Sequence, residues 1–113
     1  MCLAILNLMA CDRNSKWSSV SIDDVTQKQI ITLHKKTRGN VYSFQLLIEG
    51  TIDGRAVVQQ LNSDKGVYRQ ANISTDVHLN WAGDWYTDEC QILYEPTDVK
   101  SGSLQLKYKM ETL

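Results

Sequence analysis

The chain has 113 residues, of which 42% are hydrophobic and 22% are charged, and its formal net charge is -1. This length fits one domain and leaves no room for two independent hydrophobic cores. Because Lys and Arg are scattered and nearly balanced by acids, the charge gives no case for a nucleic-acid partner or for an electrostatically bound membrane surface.

The first eleven residues form an uncharged and mostly apolar leader, MCLAILNLMAC, and residues 12–16 that follow are polar or charged. The leader is too short to span a bilayer as a helix, which needs about twenty apolar residues. Two interpretations remain open. The leader is either the apolar region of a secretory signal, or a β-strand over residues 3–10 that is buried on both faces of a cytoplasmic sandwich.

The leader ends in a short motif, Leu8-Met9-Ala10-Cys11. This motif resembles the lipobox of bacterial lipoproteins, in which a Leu three positions before the Cys and a small residue next to it fit the signal peptidase. The resemblance implies a leader over residues 1–11, removal of residues 1–10, and lipidation of Cys11. It also implies a location in the bacterial cell envelope. Residues 12–16 would then be a polar tether to a domain formed by residues 17–113. Unlike those signals, this leader has no positively charged residue before its apolar run.

From residue 17 onward, apolar and polar residues alternate with a period of two, which is typical of strands with one face in a core. The strongest runs cover residues 42–49, 73–81 and 104–110, and weaker runs cover 17–22, 29–34, 55–61 and 89–94. About seven strands at short intervals predict an all-β fold, an antiparallel β-sandwich. It is only loosely immunoglobulin-like, because the pair of Cys residues flanking a Trp is missing.

Turn residues separate these runs. The Asp-Gly pair at 53–54 predicts a type I′ hairpin turn, and residues 82–84 predict a second turn. Residues 62–66 predict a longer hairpin loop in which Gly66 takes a left-handed conformation. The connection over residues 95–102 is too extended for a tight hairpin and is expected to cross from one sheet to the other.

The alternation also predicts which side chains are buried. The residues expected in the core are Phe44, Leu46, Val77, Leu79, Leu106 and Tyr108. The residues expected to face solvent are Gln45, Asp76, Lys107 and Lys109. Cys90 shares a strand face with apolar neighbours, so we predict that it is a small core residue rather than a reactive thiol.

Residues 81–88, WAGDWYTD, have the most unusual local composition. Aromatic rings beside carboxylates stack on sugar rings and hydrogen-bond to their hydroxyls, so Trp81, Asp84, Trp85 and Tyr86 are candidate ligand-binding residues. The alternative is that these rings pack at the end of the sandwich. Of the aromatic rings in this segment, Trp85 is the one that we expect to be least buried.

No combination of residues predicts an enzyme, a cofactor or a metal site. His34 and His78 fall on solvent-facing strand positions, and no nucleophile motif accompanies them. Cys2, Cys11 and Cys90 do not have the spacing of a zinc site. The sequence therefore predicts a non-catalytic envelope module that binds another envelope protein or serves as an accessory subunit. The alternative is a module that binds a carbohydrate through residues 81–88. Contact with the membrane is expected through the lipid anchor alone.

Overall fold

A computed structural model describes residues 17–113; the predicted leader, Cys11 and the tether lie outside the described residues. Residues 17–113 contain no helix, and so none that is long and apolar enough to cross a membrane. Their six strands are β1 (Ser18–Ser21), β2 (Gln29–His34), β3 (Val41–Leu61), β4 (Val67–Asp84), β5 (Glu89–Pro96) and β6 (Gly102–Thr112). The all-β prediction is confirmed.

β3 and β4 form one long, bent antiparallel hairpin that is shared by two layers. The first layer contains β1, β6, residues 41–52 of β3 and the second half of β4. The second layer contains β2, β5, residues 55–61 of β3 and the first half of β4. All pairings are antiparallel, so the chain forms a curled sheet that packs on itself as a β-sandwich, as predicted.

The bend lies at the Asp-Gly pair of residues 53–54, where the sequence predicts a hairpin turn. That prediction is wrong, because β3 runs through both residues without reversing direction. The register between β3 and β4 shifts between Thr51 and Arg55, and Thr75 on β4 has a φ of 48°. Such a φ is rare for a β-branched residue. The two runs expected as separate strands are therefore the two halves of β3.

Two carboxylates attach the bend to the connection between β5 and β6. Asp53 Oδ1 accepts hydrogen bonds from the backbone N–H groups of Lys100, at 2.8 Å, and Ser101, at 3.1 Å. Asp98 Oδ1 accepts one from the backbone N–H of Arg55 at 2.7 Å. These backbone donors lower the pKa of Asp53 and of Asp98 below the ordinary value. The short Asp side chain at position 53 thus supports a bent strand rather than a tight turn.

The core lies between the layers and follows the predicted alternation. Most of the predicted core residues are buried: Phe44, Leu46, Val77, Leu106 and Tyr108. Leu79 is only half-buried, because β4 is paired on one side alone. On the outer faces Asp76 is exposed as predicted, whereas three side chains are half-buried there: Gln45, Lys107 and Lys109.

The other predicted turns have mixed outcomes. Residues 62–66 do close the β3–β4 hairpin, but Lys65 takes the positive φ, 75°, instead of Gly66. Residues 82–84 are not a turn, because they continue β4 to its end. The chain reverses over residues 85–88 instead. Residues 97–101 connect β5 in the second layer to β6 in the first layer, so the predicted crossing is confirmed.

Candidate functional site

Trp85, predicted to be the least buried ring of residues 81–88, is a core residue. Its side chain is 8% exposed and its ring centroid lies 6.0 Å from that of Phe44. Its indole N–H donates a hydrogen bond to the backbone oxygen of Glu89 at 3.1 Å. The prediction is wrong, because the ring lies over the end of the core, in contact with Phe44 and bonded to Glu89, instead of standing out from the loop.

The other candidates from residues 81–88 do not share one surface with each other. Trp81 is half-buried on the inner side of β4, whereas Asp84 is exposed and belongs to the outer side of the same strand. Tyr86 lies in the turn after β4 and is 72% exposed. The carbohydrate interpretation therefore has one freely exposed ring from this segment and stays a prediction.

The outer face of the second layer carries a group of uncharged side chains, which we call the amide face. Strand register places its members beside one another across four strands. The members are Ile30, Thr32, Val57, Gln59, Gln70, Asn72, Gln91 and Leu93.

Hydrogen bonds between neighbouring strands order the amide groups of this face. Gln59 Nε2 donates to Gln70 Oε1 at 2.9 Å, and Gln91 Nε2 donates to Thr32 Oγ1 at 3.3 Å. Each amide has two N–H donors and an oxygen with two lone pairs, so these contacts leave donors and acceptors free. Ile30 at one edge is 55% exposed. The face thus combines ordered polar groups with accessible aliphatic surface.

Charged residues lie around the amide face. One of them, Lys65, donates a hydrogen bond from Nζ to Gln91 Oε1 at 2.5 Å, and six others form ion pairs. The three pairs are Lys28–Glu95 at 3.7 Å, His34–Glu89 at 3.5 Å and Arg55–Asp98 at 3.2 Å. A pocket of 330 Å³ adjoins the face at the bend, and Val57 and Asn72 of the face contribute to its lining.

The outer face of the first layer is charged instead. Register places seven ionisable side chains on it: Glu49, Asp76, His78, Asp84, Lys107, Lys109 and Glu111. Lys109 Nζ lies 3.9 Å from a carboxylate oxygen of Glu111 and 4.8 Å from the centre of the Trp17 ring. The two outer faces of one small domain therefore differ sharply in charge.

A second group of polar residues lies on the inner side of the open edge of β4. The Arg69 guanidinium lies 4.9 Å from the centre of the Tyr68 ring and 5.5 Å from that of Trp81. Gln60, its partner in register on β3, is fully buried, and neither atom of its amide has a hydrogen-bond partner in the described part of the chain. Sequence reasoning missed this group, since a lone Arg within a strand matches no motif.

Cys90 is a buried free thiol of the second layer, 1% exposed, as predicted. Burial raises its pKa to about 12, because the thiolate would lose its hydration. Gln60 and the charge of Arg69 oppose this rise only in part. The Gln60 amide lies close enough to influence the thiol, but the geometry is not that of a hydrogen bond. Cys90 is therefore a core residue and not a nucleophile.

The described residues contain no group of three or more His, Cys, Asp or Glu side chains that is placed to hold a metal ion. His34 and His78 are solvent-exposed on outer faces, as predicted. Each lies near a single Glu, at 3.5 Å for His34 and Glu89 and 3.7 Å for His78 and Glu49.

Comparisons with known proteins add little. No family model matches the chain, and no curated protein matches it. A solved structure described as "CBM4 structure and function" is similar to it at a TM-score of 0.38 and 12% sequence identity. The alignment covers 80% of this chain and 66% of that chain. A likeness at this TM-score bears on neither ligand nor activity.

Proposed function

We propose that this domain is a non-catalytic binding module and that its partner is a protein that docks on the amide face. The observation that carries the proposal is the contrast in charge between the two outer faces. The centres of protein interfaces are depleted of charged residues, because a buried charge without a partner is costly. The amide face has uncharged side chains at its centre, with three ion pairs and the Lys65 ammonium group around them, which matches that anatomy.

The chemistry of the face favours a protein over a sugar. Leu93, Val57 and Ile30 offer aliphatic surface that gains free energy when an apolar side chain covers it. The free amide donors and acceptors suit the backbone of a partner segment. The amide face contains no aromatic ring, which is the group that would stack on a sugar.

The lipobox-like motif at Leu8–Cys11 supports a place for this module at the bacterial cell envelope. Acylation of Cys11 would anchor the chain, and residues 12–16 would act as a polar spacer between the bilayer and the domain. The partner would then be another protein of the envelope.

Photo-crosslinking in cells of the native host tests the docking face. A photoreactive residue replaces Gln59 on the amide face or, as a matched control, Gln45 on the charged face. Both glutamines are half-buried members of β3. We expect a discrete protein adduct from position 59 and none from position 45.

Charge substitutions provide the second arm. Leu93→Lys places an unpaired charge at the centre of the amide face and should remove the adduct, whereas Leu47→Lys, a half-buried Leu on the charged face, should leave it. Both variants should keep their stability within about 0.5 kcal/mol, which is usual for surface positions. Equal adducts from positions 59 and 45 would contradict the proposal. Retention of the wild type on an insoluble polysaccharide that Tyr86→Ala removes would favour the carbohydrate alternative.

The location is tested separately. Cys11→Ser removes the acylated side chain, so we expect the protein to move from the membrane fraction to the soluble fraction of the native host. The mass of the wild-type protein should correspond to a chain that begins at an acylated Cys11. A Cys11→Ser variant that stays in the membrane fraction like the wild type would contradict the anchor.

A further inference from the structure

We infer that Arg69, at the open edge of β4, is a binding site for a carboxylate group. This inference is independent of the proposed docking on the amide face, because Arg69 belongs to the inner side of β4. It rests on three observations: the fixed position of Arg69, its unused hydrogen-bond donors, and the buried, unpartnered amide of Gln60, the residue paired with it in register.

The bend in β4 fixes the position of Arg69. Arg69 lies near the start of the strand and Trp81 near its end, yet the guanidinium lies over the Trp81 ring at 5.5 Å. A Cβ atom on Gly83 would come within 3.2 Å of Arg69 Nη2, so the glycine leaves room for the guanidinium. The Tyr68 ring, 4.9 Å away, restricts it further. A guanidinium held by rings loses little additional freedom when it binds a ligand.

The donors of Arg69 are unused. A guanidinium carries five N–H donors in a fixed fork, and none of the side chains or backbone groups in residues 17–113 forms a hydrogen bond or an ion pair with this one. Arg55 differs, because its guanidinium pairs with Asp98 at 3.2 Å. β4 is paired only with β3 among the described strands, so the edge beside Arg69 is open. A ligand can therefore approach the guanidinium from the open edge of β4, while the Tyr68 and Trp81 rings hold it in place.

Gln60 is the independent observation that points to a ligand. Its side chain is fully buried, and leaving such an amide without a partner costs free energy. Because Gln60 and Arg69 are directly paired in register, their side chains leave the inner side of the sheet at neighbouring positions. A carboxylate accepts two parallel hydrogen bonds from an Arg fork and has further lone pairs for an amide N–H. The negative charge of a carboxylate also balances the positive charge of the Arg69 guanidinium, since no acidic side chain in residues 17–113 lies within ion-pair distance of it.

The carboxylate can come from an acidic side chain of a protein or from an acidic sugar, and the test separates these sources. The wild-type protein is titrated with propionate and with glucuronate, each against its neutral analogue, propionamide or glucose. Nuclear magnetic resonance follows the Arg69 Nε–H and the Trp81 indole N–H. We expect saturable shifts at both groups with the carboxylates, at millimolar concentrations, and none with the neutral analogues. Tighter binding of propionate would point to an acidic side chain of a protein, and tighter binding of glucuronate would point to an acidic sugar.

Variants separate binding from packing. Arg69→Met keeps an unbranched apolar chain over Trp81 and should lose the shift of the Trp81 indole. Arg69→Lys keeps the charge without the fork and should weaken it. Lys107→Met removes one positive charge from the other side of the sandwich and should leave the shift unchanged. The inference is overturned if the wild type shows no saturable shift, if propionamide acts like propionate, or if Arg69→Met responds as the wild type does. The wild-type titration decides the matter even if Arg69→Met does not fold.

Discussion

The two layers of the sandwich distribute polarity in opposite ways. The first layer is charged on its outer face and packs apolar side chains such as Leu46, Ile48 and Leu106 on its inner face. The second layer is uncharged at the centre of its outer face, and its inner face contains Gln60 and Cys90.

The alternation of inward and outward positions is the same in both layers, yet the polarity of the side chains at those positions differs. Alternation alone therefore does not determine which polar side chains a layer carries. The first layer has an apolar inner face toward the core and a charged outer face toward water, as expected for an antiparallel sheet with one buried side. The second layer departs from this arrangement on both faces, at the amide face and around Gln60. Departures from the pattern that favours folding are expected at functional positions. Both proposals therefore concern the second layer.

The largest effect tests whether the two layers are packed equally well. Leu106→Ala in the first layer and Leu33→Ala in the second each truncate a side chain that is 0% exposed. Each should lower the free energy of unfolding by about 2–5 kcal/mol, the range for a buried Leu that leaves a cavity. Urea denaturation measures both, with Leu47→Ala on the charged outer face as the control of small effect. A cost below about 0.5 kcal/mol for Leu33→Ala alone would mean that the second layer is loosely packed, and the comparison of the layers would fail.

A smaller effect tests the ionisable thiol of the second layer. Because the pKa of Cys90 rises from 9.0 to about 12 on folding, the folded state keeps a proton that the unfolded state loses. The contribution of Cys90 to the free energy of unfolding is therefore constant below pH 9. Between pH 9 and 12 it falls by about 1.4 kcal/mol per pH unit. Cys90→Ala should make the alkaline loss of stability shallower. Val77→Ala, a buried truncation in the first layer, should leave the slope unchanged. Identical alkaline slopes for the wild type and Cys90→Ala would show that the thiol does not titrate as its burial implies.

The alternation of apolar residues was sufficient to predict the sandwich and most of its core, because a period of two defines the two sides of every strand. The Asp-Gly pair at 53–54 was misinterpreted, since local turn preference cannot reveal that Asp53 bonds to backbone groups nearly fifty residues away. One signal was available. The buried positions of β3 stay even-numbered on both sides of the pair, from Phe44 to Val58, as they do in a continuous strand.

The candidate sites were harder to predict, because they depend on contacts between distant parts of the chain. Trp85 was expected outside the core, and its burial depends on contacts with Phe44 and Glu89 that the local sequence does not reveal. Arg69 carries no sequence signal, since the bend brings Trp81 to it from the other end of β4. The amide face is formed by residues of four strands, and their common lack of charge becomes visible only when the register is known.

The bent hairpin also bears on how the chain folds. Pairing of β3 with β4 starts at Leu61 and Val67, beside a short loop, and continues to Ser43 and Asp84 in the other layer. Contacts that are close in sequence form at the lowest entropic cost. We therefore expect the pairing of β3 with β4 to form first beside the loop and then to extend through the bend. The same two strands would then provide the template on which β5 and β6 assemble. Because β3 and β4 belong to both layers, neither layer can unfold independently of the other. A chain that is cleaved at the bend should therefore unfold in both layers together.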